Sequence, residues 1–300
     1  MKKQYNNKFV SRLKRDSVAW LLIFPFLFLI FTVLWKPTAQ GVIWSFHKMN
    51  GYNVGEFIGF ENYRVVLHDT GFMTTFMNTL KYVGWSLVIG FFLPIIFAIA
   101  INELRYAQGY FKFALYFPVM IPAIANSMLW YYMYYPNANG LLNMFLGVFG
   151  LQPMEWLQNG KMTIPLILVS ETWHSLGSAM LLYLAALQGV NRELYEAASI
   201  DGIGVLKRIW YIGIPQMGSI ILLNFVRQII AVFQILEAPL AMTGGGPRNA
   251  SVSLGLLGYR YAFQNFKVGN ALALNVITFV ILVLFTVFYF WIDKRIARDS

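Results

Sequence analysis

Between two long apolar stretches the chain carries the segment NRELYEAASIDGIGVLKRIWYIGIPQM, residues 191–217. Its pattern is that of two short helices around a turn. Asn191 stands where it can cap a helix starting at Arg192, and Glu193 in the first turn suits the positive end of the helix dipole. Ala197 and Ala198 form a small-residue patch that lets another surface approach the backbone closely. Asp201 and Gly202 stop this helix and turn the chain. The second helix presents Leu206, Ile209 and Trp210 on one stripe with Lys207 and Arg208 beside it, and Pro215 ends it. Such a helix–turn–helix, with a small and partly apolar face, reads as a docking element.

The flanking stretches, 162–190 and 218–242, are each long enough to cross a bilayer, for which a helix needs about 20 apolar residues. Four more runs qualify: 18–35, 80–101, 113–135 and 271–292. None alternates with period 2, so helices are predicted over a barrel. The expected fold class is all-α, one polytopic domain over 18–292 with six transmembrane helices, a basic leader 1–17 and a tail 293–300. Pro25, Pro94, Pro118, Pro122 and Pro165 fall inside the runs as expected kinks. The first run follows Lys2, Lys3, Lys8, Arg12, Lys14 and Arg15, as a signal peptide would. It ends in Leu34 and Trp35 with no small-x-small cleavage site, and a retained helix is expected.

Composition agrees. The 300 residues are 58% hydrophobic, 17% aromatic and 12% charged, against about 25% charged in soluble proteins. With no Cys and three scattered His (His47, His68, His174), a disulfide scaffold and a zinc or iron–sulfur site are excluded, and no metal is expected. The net charge of +10 would suggest nucleic acid in a soluble domain. Here its location decides. With the N-terminus inside, the cytoplasmic segments hold 14 Lys and Arg in 63 residues and the outer ones 7 in 98. This satisfies the positive-inside rule and places both termini in the cytoplasm. The basic excess then faces lipid headgroups, and no nucleic acid is implied.

Motifs for chemistry on this chain are missing. There is no G-x-x-x-x-G-K-[ST] loop, no H-E-x-x-H and no G-x-S-x-G. The chain has no visible means of binding ATP, so the energy it uses comes from a partner or an ion gradient.

The segment 191–217 resembles the EAA loop of membrane subunits of ABC importers. The matching positions are Glu196, Ala197, Ala198, Asp201, Gly202, Ile212 and Pro215, with Glu196 and Pro215 nineteen positions apart as in the family. Ile203 and Ile214 stand where the family usually has Ala and Leu. FIGFENYRVVLHDTGFMTTFMNTLKY (57–82), LAMTGGGPRNAS (240–251), YRYAF (259–263) and VGNALAL (268–274) are similar to segments of the maltose-type, binding-protein-dependent carbohydrate permeases. The resemblance implies the type I ABC-importer permease fold in a cell membrane and a non-enzymatic role. It also implies a second homologous permease subunit, expected to be a paralogue, a dimer of cytoplasmic ATPases that hold ATP and Mg, and an extracellular solute-binding protein that delivers a sugar. The loop would be a rigid lever docked on the ATPase.

Charges inside spans normally face an interior or a wet cavity. Glu171, His174, Ser175 and Ser178 are spaced to share one helix face, and Asn224, Arg227 and Gln228 form a second group. Amides and carboxylates suit sugar hydroxyls, and Trp173 offers an aromatic face to sugar CH groups. These residues are candidates for the substrate path. A structural network is the competing reading, with Glu171 paired to Arg227 and the serines packing helices. A gradient-driven secondary transporter working alone is the competing function. It would often show repeated halves, which are not seen, and it leaves the loop unexplained.

Overall fold

A computed structural model describes residues 17, 19–189 and 192–299; for 192, 195, 199 and 292–299 it describes the backbone alone. Residues 1–16 of the basic leader and Asn191 lie outside the described residues. The first helix, α1 (Ala19–Trp44), is longer than the first apolar run, and none of its apolar window is buried. A hairpin follows, β1 (His47–Asn50) and β2 (Asn53–Phe57), paired antiparallel. It corrects the all-α expectation. Gly51, at φ +61°, supplies the first residue of its two-residue turn.

The chain continues through α2 (Glu61–Leu67) and α3 (Thr70–Glu103). Asp69 caps α3, its Oδ1 accepting from the Gly71 N–H at 2.7 Å. Next come α4 (Gln108–Met120) and α5 (Ala123–Met133), which meet at 98°. The expected single span 113–135 is therefore broken. Ile121 is extended (ψ 131°), the conformation a residue before proline prefers, and Pro122 has no N–H to continue a helix. Then follow α6 (Leu141–Val148), α7 (Thr163–Gln188), α8 (Arg192–Ile200) and α9 (Val205–Gln216). The chain ends with α10 (Gly218–Phe233), α11 (Glu237–Thr243), α12 (Leu254–Tyr259) and α13 (Val268–Asp299).

Two more expectations need correction. Pro165 sits in the first turn of α7, where no intrahelical N–H is needed, so it does not kink that helix. The expected run 218–242 is interrupted at 234–236, between α10 and α11. Among the described residues, α1, α3 and α13 are long and apolar enough to cross a membrane, or up to five spans if the bent pairs α4–α5 and α9–α10 each count as one.

Three of the four prolines inside α1, α3 and α9 are handled by one device, Pro25 of α1 being the exception. A wide π turn precedes each: Ile30–Trp35 before Pro37, Leu87–Phe91 before Pro94, and Ile209–Gly213 before Pro215. A proline cannot bond the carbonyl four residues back and its ring crowds it. In all three helices that carbonyl lies within the π turn, where i→i+5 bonding displaces it.

Helix α7 runs through the interior. Ile167, Leu168, Leu176, Met180, Tyr183, Leu184 and Leu187 are buried along it, against α3, α10 and the α4–α5 break. Gly177 permits the tightest approach: a Cβ there would fall 2.4 Å from the Leu115 carbonyl oxygen and 2.5 Å from Tyr116 Cα. At the end of the bundle bearing the hairpin, Asn143 ties the 136–157 segment together. Its Nδ2 donates to the carbonyls of Tyr135, Asn137 and Met154, and its Oδ1 accepts from Met154 N and Trp156 Nε1.

Candidate substrate cavity and docking elbow

The α7 and α10 polar groups face each other across a cavity of about 530 Å³, within the range of roughly 300–1,000 Å³ usual for small-ligand sites. Glu171, Ser175 and Ser178 line it from α7, and Asn224, Arg227 and Gln228 from α10. The third wall is the π turn of α3. Gly90 sits there because a Cβ would meet Thr172 Oγ1 at 3.0 Å and Gln228 Nε2 at 3.2 Å. Thr172, Tyr183 and Gln234 also line the cavity. Thr172 and Gly90 were not singled out in the sequence; the run of polar residues beside Glu171 was the available signal for the first, and nothing marked the second.

Glu171 and Arg227 make no ion pair among the described residues. The paired structural network therefore does not form in this state. Ser175 Oγ donates to the Glu171 carbonyl at 2.8 Å and Asn224 Nδ2 to the Ile220 carbonyl at 3.0 Å. Both side chains keep acceptor oxygens for other donors. The wall thus offers one carboxylate, one guanidinium, amides and hydroxyls over an apolar surround of Phe91, Pro94 and Leu168. That is the donor and acceptor mixture a polyhydroxylated ring requires.

Trp173 and His174 lie elsewhere. Trp173 points away from the cavity and meets Trp130 of α5 edge-on at 5.8 Å. His174 Nε2 is 2.8 Å from the Ile121 carbonyl oxygen at the α4–α5 break. The shared face expected of positions 171 to 178 divides because His174 lies at the flank of that arc, where α4 and α5 pack.

The elbow 191–217 is at the opposite end from the hairpin, three residues beyond the end of α7. Helix α8 begins at Arg192 as expected. Glu196 and Ala197 are exposed, whereas Ala198 is buried, its carbonyl accepting from Ile203 N at 2.9 Å. Gly202 turns the chain at φ +71°, and Asp201 N bonds the Ala197 carbonyl at 3.0 Å. Pro215 lies one residue before the end of α9, and the 69° bend into α10 follows it. Leu206 and Trp210 are 82% and 66% exposed. They form an open apolar face, and Ile200 of α8 is exposed as well.

At the hairpin end, residues 244–253 close over the helix ends. Asn78 Nδ2 donates to the Asn249 carbonyl at 2.8 Å, Tyr82 OH to the Ser251 carbonyl at 3.1 Å, and Arg260 Nη2 to the Gly244 carbonyl at 2.6 Å. Tyr261 OH donates to Asp69 Oδ2 at 2.5 Å. Burial, and secondly this bond to a carboxylate, push the Tyr261 phenol above its ordinary value. The triglycine of this segment is a structural turn: Gly244 and Gly245 have φ +57° and +94°.

The family described as "Binding-protein-dependent transport system inner membrane component" matches residues 90–298. Among curated relatives, the trehalose/maltose transport system permease protein MalF of Thermococcus litoralis is 28% identical over 299 residues, 98% of this chain and 100% of that one. The arabinooligosaccharides transport system permease protein AraP of Halalkalibacterium halodurans is 29% identical, covering 90% of this chain and 85% of that one. Among solved structures, a chain of a bacterial alginate ABC transporter, in complex with an alginate pentasaccharide-bound periplasmic protein, superposes with a TM-score of 0.83. It is 25% identical and covers 95% of this chain and 97% of that one.

Proposed function

The chain belongs to the family of binding-protein-dependent transport system inner membrane components, and from that premise we propose that it forms half of a saccharide path in an ATP-driven importer. In this reading the chain crosses the membrane six times, as α1, α3, α4–α5, α7, α10–α11 and α13, with both termini in the cytoplasm. A second homologous permease closes the cavity. An extracellular binding protein delivers an oligosaccharide to the hairpin end. A dimer of ATPases docks at the elbow and holds ATP and Mg.

Glu171, Ser175, Ser178, Asn224, Arg227 and Gln228 contact the sugar. Glu171 accepts from hydroxyl groups, while Arg227 and the amides donate to ring and hydroxyl oxygens. Glu196, Ala197, Ala198, Asp201, Gly202 and Pro215 build the lever. Closure of the ATPases moves α8, and α7 carries that displacement to the cavity. The cargo moves because its affinity differs between the two access states. What supports this reading is that one helix, α7, brings Glu171, Ser175 and Ser178 to the cavity and leads within three residues into α8. The saccharide class rests on the cavity's chemistry and on the cargo named for the two relatives and the solved transporter.

The test is reconstitution of the chain with its companion permease, ATPase and binding protein in proteoliposomes, using labelled maltose, trehalose, arabino-oligosaccharides and alginate oligomers. ATP-dependent accumulation of at least one supports the assignment. Uphill uptake by this chain alone, driven by a proton or sodium gradient, replaces it with a secondary transporter.

A further inference from the structure

The α4–α5 break is held from one side by α7, and this contact lies outside the candidate substrate cavity. Ile121 and Pro122 interrupt the helical ladder, and the Ile121 carbonyl lies outside both helices. His174 Nε2 meets it at 2.8 Å. A carbonyl oxygen only accepts, so Nε2 carries the proton and donates. One turn along α7, Gly177 sits against the backbone of Leu115 and Tyr116, where no Cβ fits. Both anchors flank the arc that bears Glu171, Ser175 and Ser178. Beyond the break, Asn126 is fully buried, and neither its side-chain polar atoms nor Trp130 Nε1 has a partner among the described residues. Buried polar groups without partners disfavour an arrangement unless something else holds it.

We propose that His174 is a positioning residue for transport: with Gly177 it latches the broken span to α7, so that the 98° bend travels as a rigid body with the helix that joins cavity and elbow. The latch rests on the transport reading above only for its consequence; the mechanical claim stands on this chain's geometry. Displacement of α8 reaches α7 directly. Without the latch, α7 slides past the break, and the bent pair α4–α5 does not follow it.

The absence of Cys allows a clean test. Spin labels on Phe111→Cys and Leu129→Cys, both exposed positions on the two arms, report the bend as a distance in the purified complex, with and without ATP. In the parent the distance is narrow and the same in both states. His174→Leu keeps the size but removes the donor, and the distribution broadens. His174→Gln returns an N–H at similar reach and restores it. Gly177→Ala shifts the distance with the donor intact, which keeps the claim testable should the leucine variant fail to fold. Uptake turnover falls about tenfold in His174→Leu, the weight of roughly one hydrogen bond. The KM is unchanged, and turnover recovers in His174→Gln. A parent-like distance in His174→Leu, or a broadened distance with full turnover, overturns the proposal. Failure of the parent complex to accumulate sugar refutes the transport reading alone, since the distances still decide the latch.

Discussion

Gly202 offers a perturbation whose size can be worked from the backbone. It turns the elbow at φ +71°, and a Cβ built there meets nothing within 4 Å. In the isolated chain, therefore, a substitution suffers conformational cost without a clash. That cost is about 1–2 kcal/mol for an ordinary L-residue, less for Asn or Asp, whose side chains tolerate the left-handed region, and more for a β-branched one. If docking on the ATPase requires the bent elbow, the cost appears as weaker docking, about 5- to 30-fold for Ala. The series Gly202→Asn, →Ala and →Val separates φ from size. ATP hydrolysis stimulated by loaded binding protein, titrated against ATPase subunit concentration, is expected to fall in the order Gly, Asn, Ala, Val. An order set by volume, with Ala better than Asn, would show that the partner surface crowds the site and refute the argument from φ. Equal activity of Val and Gly would remove the elbow from the coupling altogether.

Glu171→Gln and Arg227→Gln are expected to raise the KM for uptake, each by about tenfold, with assembly intact by co-purification; unchanged kinetics in both would exclude them from the path. Glu196→Lys is expected to lower binding-protein-stimulated ATP hydrolysis without affecting membrane insertion, and full coupled hydrolysis would count against α8 as the lever. Asn143→Ala removes the partner of five backbone or side-chain groups, and a loss of about 2–3 kcal/mol of stability is expected as earlier proteolysis within 136–157. Tyr261→Phe removes a charge-assisted bond to Asp69 and should cost about 1.5–3 kcal/mol near neutral pH. Because the folded phenol titrates above its ordinary value, the Tyr contribution is full below pH about 10 and fades as pH rises through the raised value. The stability gap between Tyr and Phe should therefore narrow in alkali; a gap that widens would contradict the assigned bond.

The readable part of the fold was the part set by one-dimensional chemistry. Apolar runs located the long helices, and Asp201–Gly202 located the elbow turn, because each depends on neighbours in sequence. The hairpin was missed although Asn50–Gly51 is a strong turn signal: its strands, HKMN and NVGEF, are short and polar. A kink was expected at Pro122 but not a 98° corner, and the break at Gln234 was hidden, for the opposite reason. An apolar run long enough to span can still contain a sharp corner when tertiary packing receives the freed carbonyls, as His174 receives that of Ile121. For the site, helical spacing grouped Glu171, Ser175, Ser178 and the α10 residues, and these line one cavity. Spacing could not say where an arc ends, and Trp173 and His174 fell beyond its edge.

That edge carries a physical consequence for α7. With 26 residues it is long enough to cross a bilayer, yet it is not among the helices apolar enough to count as spans by composition. Its polarity is distributed by sector. Glu171, Ser175 and Ser178 face the cavity, His174 the break, and the buried aliphatic residues α3 and α10. No polar side chain of that set has to be solvated by lipid, since each faces a cavity or a backbone acceptor. A helix of this kind stays in place only while its neighbours stay with it. The same neighbours contain the wide turns. Leu87–Phe91 forms a wall of the cavity, and Ile209–Gly213 lies in the second arm of the elbow. In both, proline has displaced a carbonyl from the regular ladder, so axial motion of α7 meets bends at the two points where α3 and α9 are already free of regular i→i+4 bonding. Displacement at the elbow can therefore reach the cavity wall through changes of bend rather than through unfolding of either helix.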